Sequence, residues 1–303
     1  MNKSICAVIV SFNSPGKLKN CIDNSSYQVD EIIVVDNTTN PELKDKIGNI
    51  ASSEKVRFIF NRENRGLGAA LNQGITHSLK NNYFWTLLLD QDSMLTENMI
   101  DEMIRSYHNL RDDLRARTAA IVPLIYDSDF NKEIHAIVTT KLLNKKIKNH
   151  SGDAFIHFQI TSGSMIRNDV IENIGLMNEY FFIDFIDFDY CFRILSKGYK
   201  ILQSRNALLY HSLGEKKSRL FFQFREHNDP SRLYYQIRNR LLTLSAYGKN
   251  HRSVLYSESC RIFAKFFKVL FLEYNKQAKM KMFFRGIADF LRESNRKNFS
   301  MNN

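Results

Sequence analysis

The first 126 residues alternate continuous apolar runs with segments of helical spacing. The apolar runs are rich in Val, Ile, Leu and Phe and are short enough to be buried strands. The strands predicted in this way are 5–12, 31–37, 55–60, 83–90 and 119–126. Helices are predicted from Pro15 onward, over 67–79 and over 96–110, with Ser14 and Thr96 placed to open two of them. This alternation predicts an α/β fold, with a mixed, mainly parallel sheet covered by helices on both faces.

The pattern changes toward the C-terminus. Residues 127–215 are mixed, and helical spacing dominates from about residue 231, with helices predicted over 231–248, 253–275 and 280–293. A polar stretch at 225–230 predicts a linker. We therefore predict two parts, an α/β domain over 1–228 and a helical, basic amphipathic region over 229–303.

Polar residues follow four of the predicted strands at the point where each strand ends. They are Asn13, Asp36, the stretch 61–65, and the stretch 90–92. The carboxyl ends of parallel strands meet at one edge of a sheet, and ligands of such folds bind there. The sequence therefore predicts a binding site at this edge.

Asp90 and Asp92 follow the longest buried strand, in the stretch LLLDQDSM. In an extended segment, residues two apart point to the same side, so both carboxylates can face one ligand. Two hard oxygen ligands suit Mg²⁺ or Mn²⁺, whose other positions are filled by water and phosphate. A solvated turn is the alternative, because Asp and Ser are common turn residues. The alignment with three other polar strand ends favours the metal site.

A second acidic cluster contains Asp184, Asp187 and Asp189 among apolar neighbours. Mutual repulsion and burial should raise the pKa of at least one of these carboxyl groups, which makes the cluster a candidate for a general base. The alternative is structural: Asp187 would cap the following helix and Asp189 would be favoured by its dipole. His211 ends another apolar run, where a lone histidine more often has a structural role.

Charge and cysteine content bear on location and partners. The net charge is +11, of which residues 249–303 supply +8, from 12 Lys+Arg and 4 Asp+Glu. This basic, amphipathic end predicts an anionic membrane surface as a partner, because no nucleic-acid-binding motif accompanies it. Packing onto the first domain and self-association into a homo-oligomer are the alternatives. The four cysteines form no CxxC pair and the start resembles a strand rather than a signal peptide, which predicts a cytoplasmic protein.

Several motifs in a fixed order carry a family resemblance. They are VIVSFN, EIIVVDN, NRGLGAALNQG, DQDS, SGSMI, IDFDYCFR, YHSLG and YYQIRN. Over residues 4–245 the chain resembles the family 2 inverting glycosyltransferases of the GT-A fold. DQDS makes it similar to the bacterial rhamnosyltransferases of O-antigen and related polysaccharide assembly.

The resemblance implies roles for individual residues. For the donor nucleotide it implies Phe12, Asn13, Asp36, Arg65, Gly66, Asn72, Asp90, Arg238 and Asn239. For a Mg²⁺ or Mn²⁺ cofactor it implies Asp92, Asp90 and His211, and for the sugar and acceptor Gly163, Ser164 and Asp189. Asp187 matches the base of the family's Glu-Asp motif, but Ile186 replaces the Glu, which leaves Asp184 and Asp187 both open as the base.

The implied reaction is a metal-dependent transfer of L-rhamnose from dTDP-L-rhamnose to a hydroxyl group of a saccharide acceptor, which the resemblance suggests is lipid-linked. A UDP-sugar donor is the alternative, and a nucleotidyltransferase is a third, although only Lys17 and Lys19 supply a basic loop near the N-terminus. The resemblance places the enzyme in O-antigen and lipopolysaccharide biosynthesis, peripheral to the inner face of the cell membrane.

Overall fold

The computed structural model describes residues 4–50, 54–139, 144–146, 152–212, 215–219, 222–226, 229–248 and 251–295. Its strands are β1 (Ile5–Ser11), β2 (Glu31–Asp36), β3 (Val56–Phe60), β4 (Trp85–Asp90), β5 (Met94–Leu95), β6 (Thr118–Asp127), β7 (Lys132–Ile134), β8 (Ile137–Thr139), β9 (Asn144–Lys146), β10 (Ala154–Ile156), β11 (Ser164–Arg167), β12 (Lys200–His211), β13 (Glu215–Arg219) and β14 (Phe222–Glu226). Its helices are α1 (Pro15–Ser25), α2 (Pro41–Gly48), α3 (Gly66–Lys80), α4 (Met99–His108), α5 (Asp112–Arg117), α6 (Asn168–Ile174), α7 (Ile186–Ser196), α8 (Pro230–Tyr247), α9 (Arg252–Phe271) and α10 (Lys276–Asn295), with a 3₁₀ turn at Glu179–Phe181.

One mixed sheet forms the centre of the molecule. Its strand order is β10-β12-β6-β11-β4-β1-β2-β3, with β5 added on β12 and β7 on β6. The four strands β3, β2, β1 and β4 are parallel, and β12 runs parallel to β6. The short strand β11 is antiparallel to both β4 and β6, between which it lies. The predicted α/β fold with a mainly parallel sheet and helices on both faces is confirmed.

The alternation of side chains along β1 explains why helices cover both faces of the sheet. All seven residues of this strand are buried. Val8 packs in the core with α3, whereas Ile9 packs in the core with α1. Helix α3 approaches β1 closely at Gly74, where a Cβ atom would lie 2.2 Å from Cγ1 of Val8. Glycine at this position therefore allows the close helix–strand packing.

Two local predictions differ from the structure. The pattern of apolar residues did not predict α2, which is short and mostly polar and is opened by Pro41 with the Asn40 side chain accepting from the amide of Leu43. Helix α4 begins at Met99 rather than at Thr96. The hydroxyl of Thr96 instead donates to the carbonyl of Leu208, which joins the start of this helix to β12.

Helices α8, α9 and α10 pack on one another around a small core of their own. Its fully enclosed members are Leu233, Ile237, Val269 and Phe283. Within the described residues, no helix combines the length and the hydropathy that crossing a bilayer requires. The division at residue 228 stays a prediction, and residues 227–228 of the predicted linker lie outside the described residues.

Candidate active site

A cavity of about 930 Å³ lies at the carboxyl edge of the parallel strands. One wall is the edge of the sheet, with Phe12 after β1 and the stretch 90–92 after β4. The opposite wall is the loop 182–185 with the first turn of α7, and residues of α8 and α9 close the far side. The site therefore lies where the polar strand ends predicted it.

Asp90, Asp92 and His211 form a candidate metal centre in this cavity. One potential ligand atom from each residue lies within 4.8 Å of the others. Oδ1 of Asp92 is 3.0 Å from Nδ1 of His211, and Oδ2 of Asp90 is 3.4 Å from Nε2. Two carboxylates and one imidazole are a donor set that fits Mn²⁺ or Mg²⁺ and leaves positions for phosphate oxygens.

The two-residue strand β5 explains how His211 meets the aspartates. The chain turns directly after Asp92 into β5, where Met94 pairs with Tyr210 and Leu95 pairs with Leu209. This pairing fixes the end of β12 beside the end of β4. Ligands that are far apart in the sequence are thus joined through a short stretch of backbone hydrogen bonds.

The electrostatics of the centre favour a cation. Burial alone would raise the pKa of Asp92, but the hydrogen bond and charge of His211, together with Lys17, lower it. Burial and the neighbouring carboxylate raise the pKa of Asp90, against the opposing charge of His211. Burial would lower the pKa of His211, but its hydrogen bond to Asp92 and the charge of Asp90 raise it. A bound metal would replace the imidazole proton that these carboxylates favour.

Gln91 links the turn between Asp90 and Asp92 to the end of the first strand. Its side-chain oxygen accepts from the amide of Phe12 at 3.0 Å, and its side-chain nitrogen donates to the carbonyl of Phe12 at 3.0 Å. Ser11 donates to the same oxygen at 3.3 Å. The residue between the two aspartates thus positions Phe12 at the cavity.

The three aspartates of the second acidic cluster have different environments. Asp184 accepts from both Nε and Nη2 of Arg232 at 3.0 Å, which engages both of its oxygens. Asp189 is buried and faces away from the cavity, with Arg193 and Tyr247 each 3.1 Å from its carboxylate. Asp187 lines the cavity, and its Oδ1 accepts from the amide of Phe188 at 2.9 Å.

The carboxyl group of Asp187 can exchange a proton near neutral pH. Burial, with the charges of Asp184 and Asp90, raises its pKa to about 7. The residue lies in the first turn of α7, whereas the N-cap position is Phe185. The alternative that Asp187 caps this helix is therefore wrong, although Asp187 and Asp189 both benefit from the helix dipole.

Several residues predicted for the donor nucleotide lie at the sheet edge. Gly66 lines the cavity with φ of +82°, and a Cβ atom there would lie 2.6 Å from the ring of Phe182. Asp36 is buried and accepts from the hydroxyl of Thr38, which in turn accepts from the amide of Asn13. The second carboxylate oxygen of Asp36 has no hydrogen-bond partner in the described part of the chain. Arg65 is the N-cap residue of α3.

The lining of the cavity includes neither Asn13, Asp36 and Arg65 nor the remaining predicted residues. Asn72 is buried and binds the backbone of Met177 in both directions. Gly163 and Ser164 lie at the start of β11 beneath the site. Arg238 and Asn239 are buried in α8, where they hydrogen-bond to the loop that carries Asp184.

Sequence reasoning missed several charged residues of the cavity. These are Lys17, Asp129, Asp229, Arg232, Arg240, Glu258, Arg261 and Lys265. Lys17 lies in the first turn after β1, and its Nζ is 3.5 Å from Oδ2 of Asp92. Its place in the first turn of α1, the helix that follows β1, is a signal that could have found it. The residues of α8 and α9 gave no comparable signal, because they reach the cavity only through helix packing.

Comparison with known proteins agrees with this geometry. The chain matches the family model "Glycosyl transferase family 2" over residues 6–175. It is 32% identical over 262 residues to the dTDP-rhamnosyl transferase RfbF of Shigella flexneri, covering 85% of this chain and 84% of that protein. It is 24% identical over 267 residues to the low-salt glycan biosynthesis hexosyltransferase Agl10 of Haloferax volcanii, covering 85% and 81%.

Solved structures share the fold at low sequence identity. The mannosyltransferase PcManGT of Pyrobaculum calidifontis, in complex with GDP-Man and Mn²⁺, matches with a TM-score of 0.58 and 11% identity over 97% of this chain and 88% of that one. S. aureus TarS with UDP-GlcNAc matches with a TM-score of 0.60 and 12% identity over 95% and 81%. GalNAc-T7 with UDP, GalNAc and Mn²⁺ matches with a TM-score of 0.61 and 15% identity over 82% of this chain and 50% of that one.

These structural matches show that the chain shares the GT-A fold. The family match covers more than half of the chain, and the identity to the rhamnosyl transferase extends over most of it. The chain belongs to glycosyl transferase family 2 and is a glycosyltransferase of the GT-A fold.

Proposed function

We propose that this protein is a metal-dependent, inverting rhamnosyltransferase that moves L-rhamnose from dTDP-L-rhamnose to a hydroxyl group of a saccharide acceptor. The observation that carries the proposal is the placement of Asp90, Asp92 and His211 in one cavity with Asp187. The identity of 32% to a dTDP-rhamnosyl transferase supports the choice of donor.

The residues of the cavity support a single displacement. Asp187 takes the proton of the acceptor hydroxyl as its oxygen forms a bond to the anomeric carbon of the donor sugar. The bond from that carbon to the diphosphate breaks at the same time, and dTDP leaves with the bonding electrons. Asp90, Asp92 and His211 would hold Mg²⁺ or Mn²⁺, which when bound supplies positive charge to the diphosphate. Lys17 adds a second positive charge beside Asp92.

The engagement of Asp184 supports Asp187 as the base. A carboxylate whose two oxygens both accept from one guanidinium is held in place and stabilised in its charged form. Asp184 is paired in this way with Arg232. We therefore propose that Asp184 orients Arg232 at the cavity, while Asp187 transfers the proton.

We further propose that the acceptor is lipid-linked and that the protein binds the inner face of the cell membrane in O-antigen assembly. Exposed apolar side chains form a row along α9: Tyr256, Phe263, Phe267, Leu270 and Phe271. At 100° per residue this row lies opposite Glu258, Arg261 and Lys265, which line the cavity. The cavity would therefore stay open when α9 lies on a bilayer, with exposed Arg285 and Arg292 of α10 available to anionic lipid.

A thermal-shift panel tests the donor. With Mn²⁺ present, dTDP and dTDP-L-rhamnose at about 100 times their Kd should raise the Tm by about 5 °C, because they bind only the folded state. Without Mn²⁺ the shift should be lost. A larger shift with UDP and UDP-sugars would overturn the dTDP assignment and favour the UDP-sugar alternative.

A further inference from the structure

The loop between the 3₁₀ turn and α7 has an unusual backbone. Phe182, Asp184 and Phe185 have φ angles of +58°, +63° and +69°, in the left-handed region that bulky side chains rarely adopt. Such a conformation persists only where the surroundings hold it. The same loop positions Asp184 and leads directly into Asp187, so its conformation matters for the site.

The buried side chain of Asn239 holds this loop from the side of α8. Asn239 is fully buried, and its Nδ2 donates to the carbonyl groups of Phe181, Ile183 and Asp184 at 2.8, 2.9 and 3.0 Å. These carbonyls point to one place because the positive φ angles turn the chain back on itself. Its Oδ1 accepts from Nε and Nη2 of Arg238, at 3.0 and 2.9 Å, which fixes the amide orientation.

Contacts from Arg238 and from Leu67 also hold the loop in place. Nη2 of Arg238 donates to the carbonyl of Tyr180 at 2.7 Å, and its guanidinium stacks 4.3 Å from the Tyr180 ring. From the side of α3, the amide of Leu67 donates to the carbonyl of Phe182 at 2.5 Å. The loop is therefore fixed between the start of α3 and the middle of α8.

We infer that Asn239 is a positioning residue for sugar transfer, which holds the backbone of the loop 181–185 so that Asp187 faces the cavity and Asp184 meets Arg232. Asn239 does not line the cavity and touches no reacting atom. The inference rests on the proposed function, in which Asp187 is the base. Loss of the amide would remove the donor that the carbonyls of Phe181, Ile183 and Asp184 share, of which Phe181 keeps the amide of Ile183 at 2.6 Å. The loop would then relax toward negative φ and withdraw Asp187.

The test compares Asn239→Ala with Asn168→Ala. Asn168 is also a buried asparagine, whose Nδ2 donates to Ser78 and to the carbonyl of Tyr83 and whose Oδ1 accepts from Thr86. Asn168 does not line the cavity. Its replacement therefore removes comparable buried hydrogen bonds without changing a residue of the site. Asn168→Ala therefore measures how much turnover falls when buried hydrogen bonds are lost away from the site.

The kinetic readout is hydrolysis of dTDP-L-rhamnose with Mn²⁺, alongside the Kd of dTDP with Mn²⁺. We expect Asn239→Ala to lower turnover about 100-fold, because displacement of a catalytic base by about 1 Å reduces the rate by about that factor. The Kd should change less than about threefold, since the metal centre does not depend on the loop. Asn168→Ala should keep turnover and Kd near the wild-type values. Equal turnover in the two variants would overturn the inference.

The second readout, hydrogen exchange, requires no substrate. Amides of residues 181–187 should exchange at least about tenfold faster in Asn239→Ala than in wild type. In Asn168→Ala the exchange rates of these amides should equal those of wild type. Unaltered exchange in the loop would overturn the positioning role whatever the donor is. Absence of hydrolysis by the wild type would instead count against the proposed function alone. Should Asn239→Ala not fold, Arg238→Gln, which leaves the Asn239 amide in place, should give a smaller change in the same direction in both readouts.

Discussion

Three aspartates within six residues illustrate how the environment of a side chain decides its chemistry. Asp184 is held by a guanidinium, Asp189 is buried against α8, and Asp187 faces the cavity. The sequence showed the cluster but could not separate its members, because the separation depends on Arg232 and Tyr247, which arrive from another helix. The choice between two candidate bases thus required the packing of α8.

The raised pKa of Asp187 predicts the pH dependence of transfer. A base accepts a proton only in its deprotonated form, which lies above its pKa. Because that pKa is about 7, kcat/KM should rise with pH below 7 and level off above it. Asp187→Asn should lower turnover by about 10²- to 10⁴-fold. A pH–rate profile of wild type that stays flat between pH 5.5 and about 8 would contradict this assignment.

We predict that metal binding depends on Asp92, whose Oδ1 lies 3.0 Å from Nδ1 of His211 in the candidate metal centre. Asp92→Asn removes one charged ligand while keeping the size of the side chain. We expect Mn²⁺-dependent dTDP binding, measured by calorimetry, to weaken at least about tenfold. Asp113→Asn, at an exposed position in α5, is the matched control and should bind as wild type does. Equal affinity in the two variants would show that Asp92 does not hold the metal.

At the scale of elements, the first half of the sheet was predictable and the second was less so. Strands β1, β2 and β4 are buried on both faces, so that each is a continuous apolar run in the sequence. Strands β10 and β11 are only three and four residues long, and their pairing depends on distant partners. Helix α2 is short and mostly polar, and therefore lacks the apolar periodicity that marked α3.

The contact between α3 and β1 gives a prediction about stability. In Gly74→Ala the new Cβ atom would overlap Cγ1 of Val8, and overpacking of this kind costs about 1–3 kcal/mol of unfolding free energy. Denaturant unfolding should therefore show the variant about 2 kcal/mol less stable. Gly16→Ala, where a Cβ atom meets nothing within 4 Å, should change stability by less than about 0.5 kcal/mol.

The double variant Gly74→Ala with Val8→Ala separates overlap from other effects. If overlap with Val8 is the cause, the cost of Gly74→Ala should largely disappear in the Val8→Ala background, because the two residues are in contact. Additive costs would instead show that Gly74 matters for another reason.

At the scale of the whole molecule, the C-terminal helix α9 contributes to two opposite surfaces. One face of α9 supplies charged residues to the cavity, and the other carries the exposed apolar row. The sequence predicted the amphipathic character of these helices. It did not predict that they would close the active site, because both faces of α9 contain basic and apolar residues and only the packing against α8 and α10 distinguishes them.

Membrane binding can be tested with vesicles. We expect the protein to sediment with phosphatidylglycerol vesicles at low salt and less with phosphatidylcholine vesicles. Replacing both Phe263 and Phe267 with Ser should reduce vesicle binding at least about tenfold, because Ser cannot bury the apolar surface that each ring buries in the bilayer. Tyr27→Ser, at an exposed aromatic residue outside α9, should bind as wild type does. A wild-type dimer in sedimentation that the double variant abolishes would show instead that the row binds a second copy.

The pairing of β5 with β12 has a consequence for the order in which the chain acquires its activity. A ribosome-bound chain that has emerged only as far as β11 already contains Asp90 and Asp92, but it lacks His211 and the strand that pairs with β5. Contacts between distant segments form late, because their loops must close first. The growing chain therefore contains the sheet edge of the cavity before it contains the complete candidate metal centre, and the loop before Asp187 gains its hydrogen bonds to Asn239 only when α8 has been made. The order of synthesis therefore delays completion of the proposed site until α8 has been made.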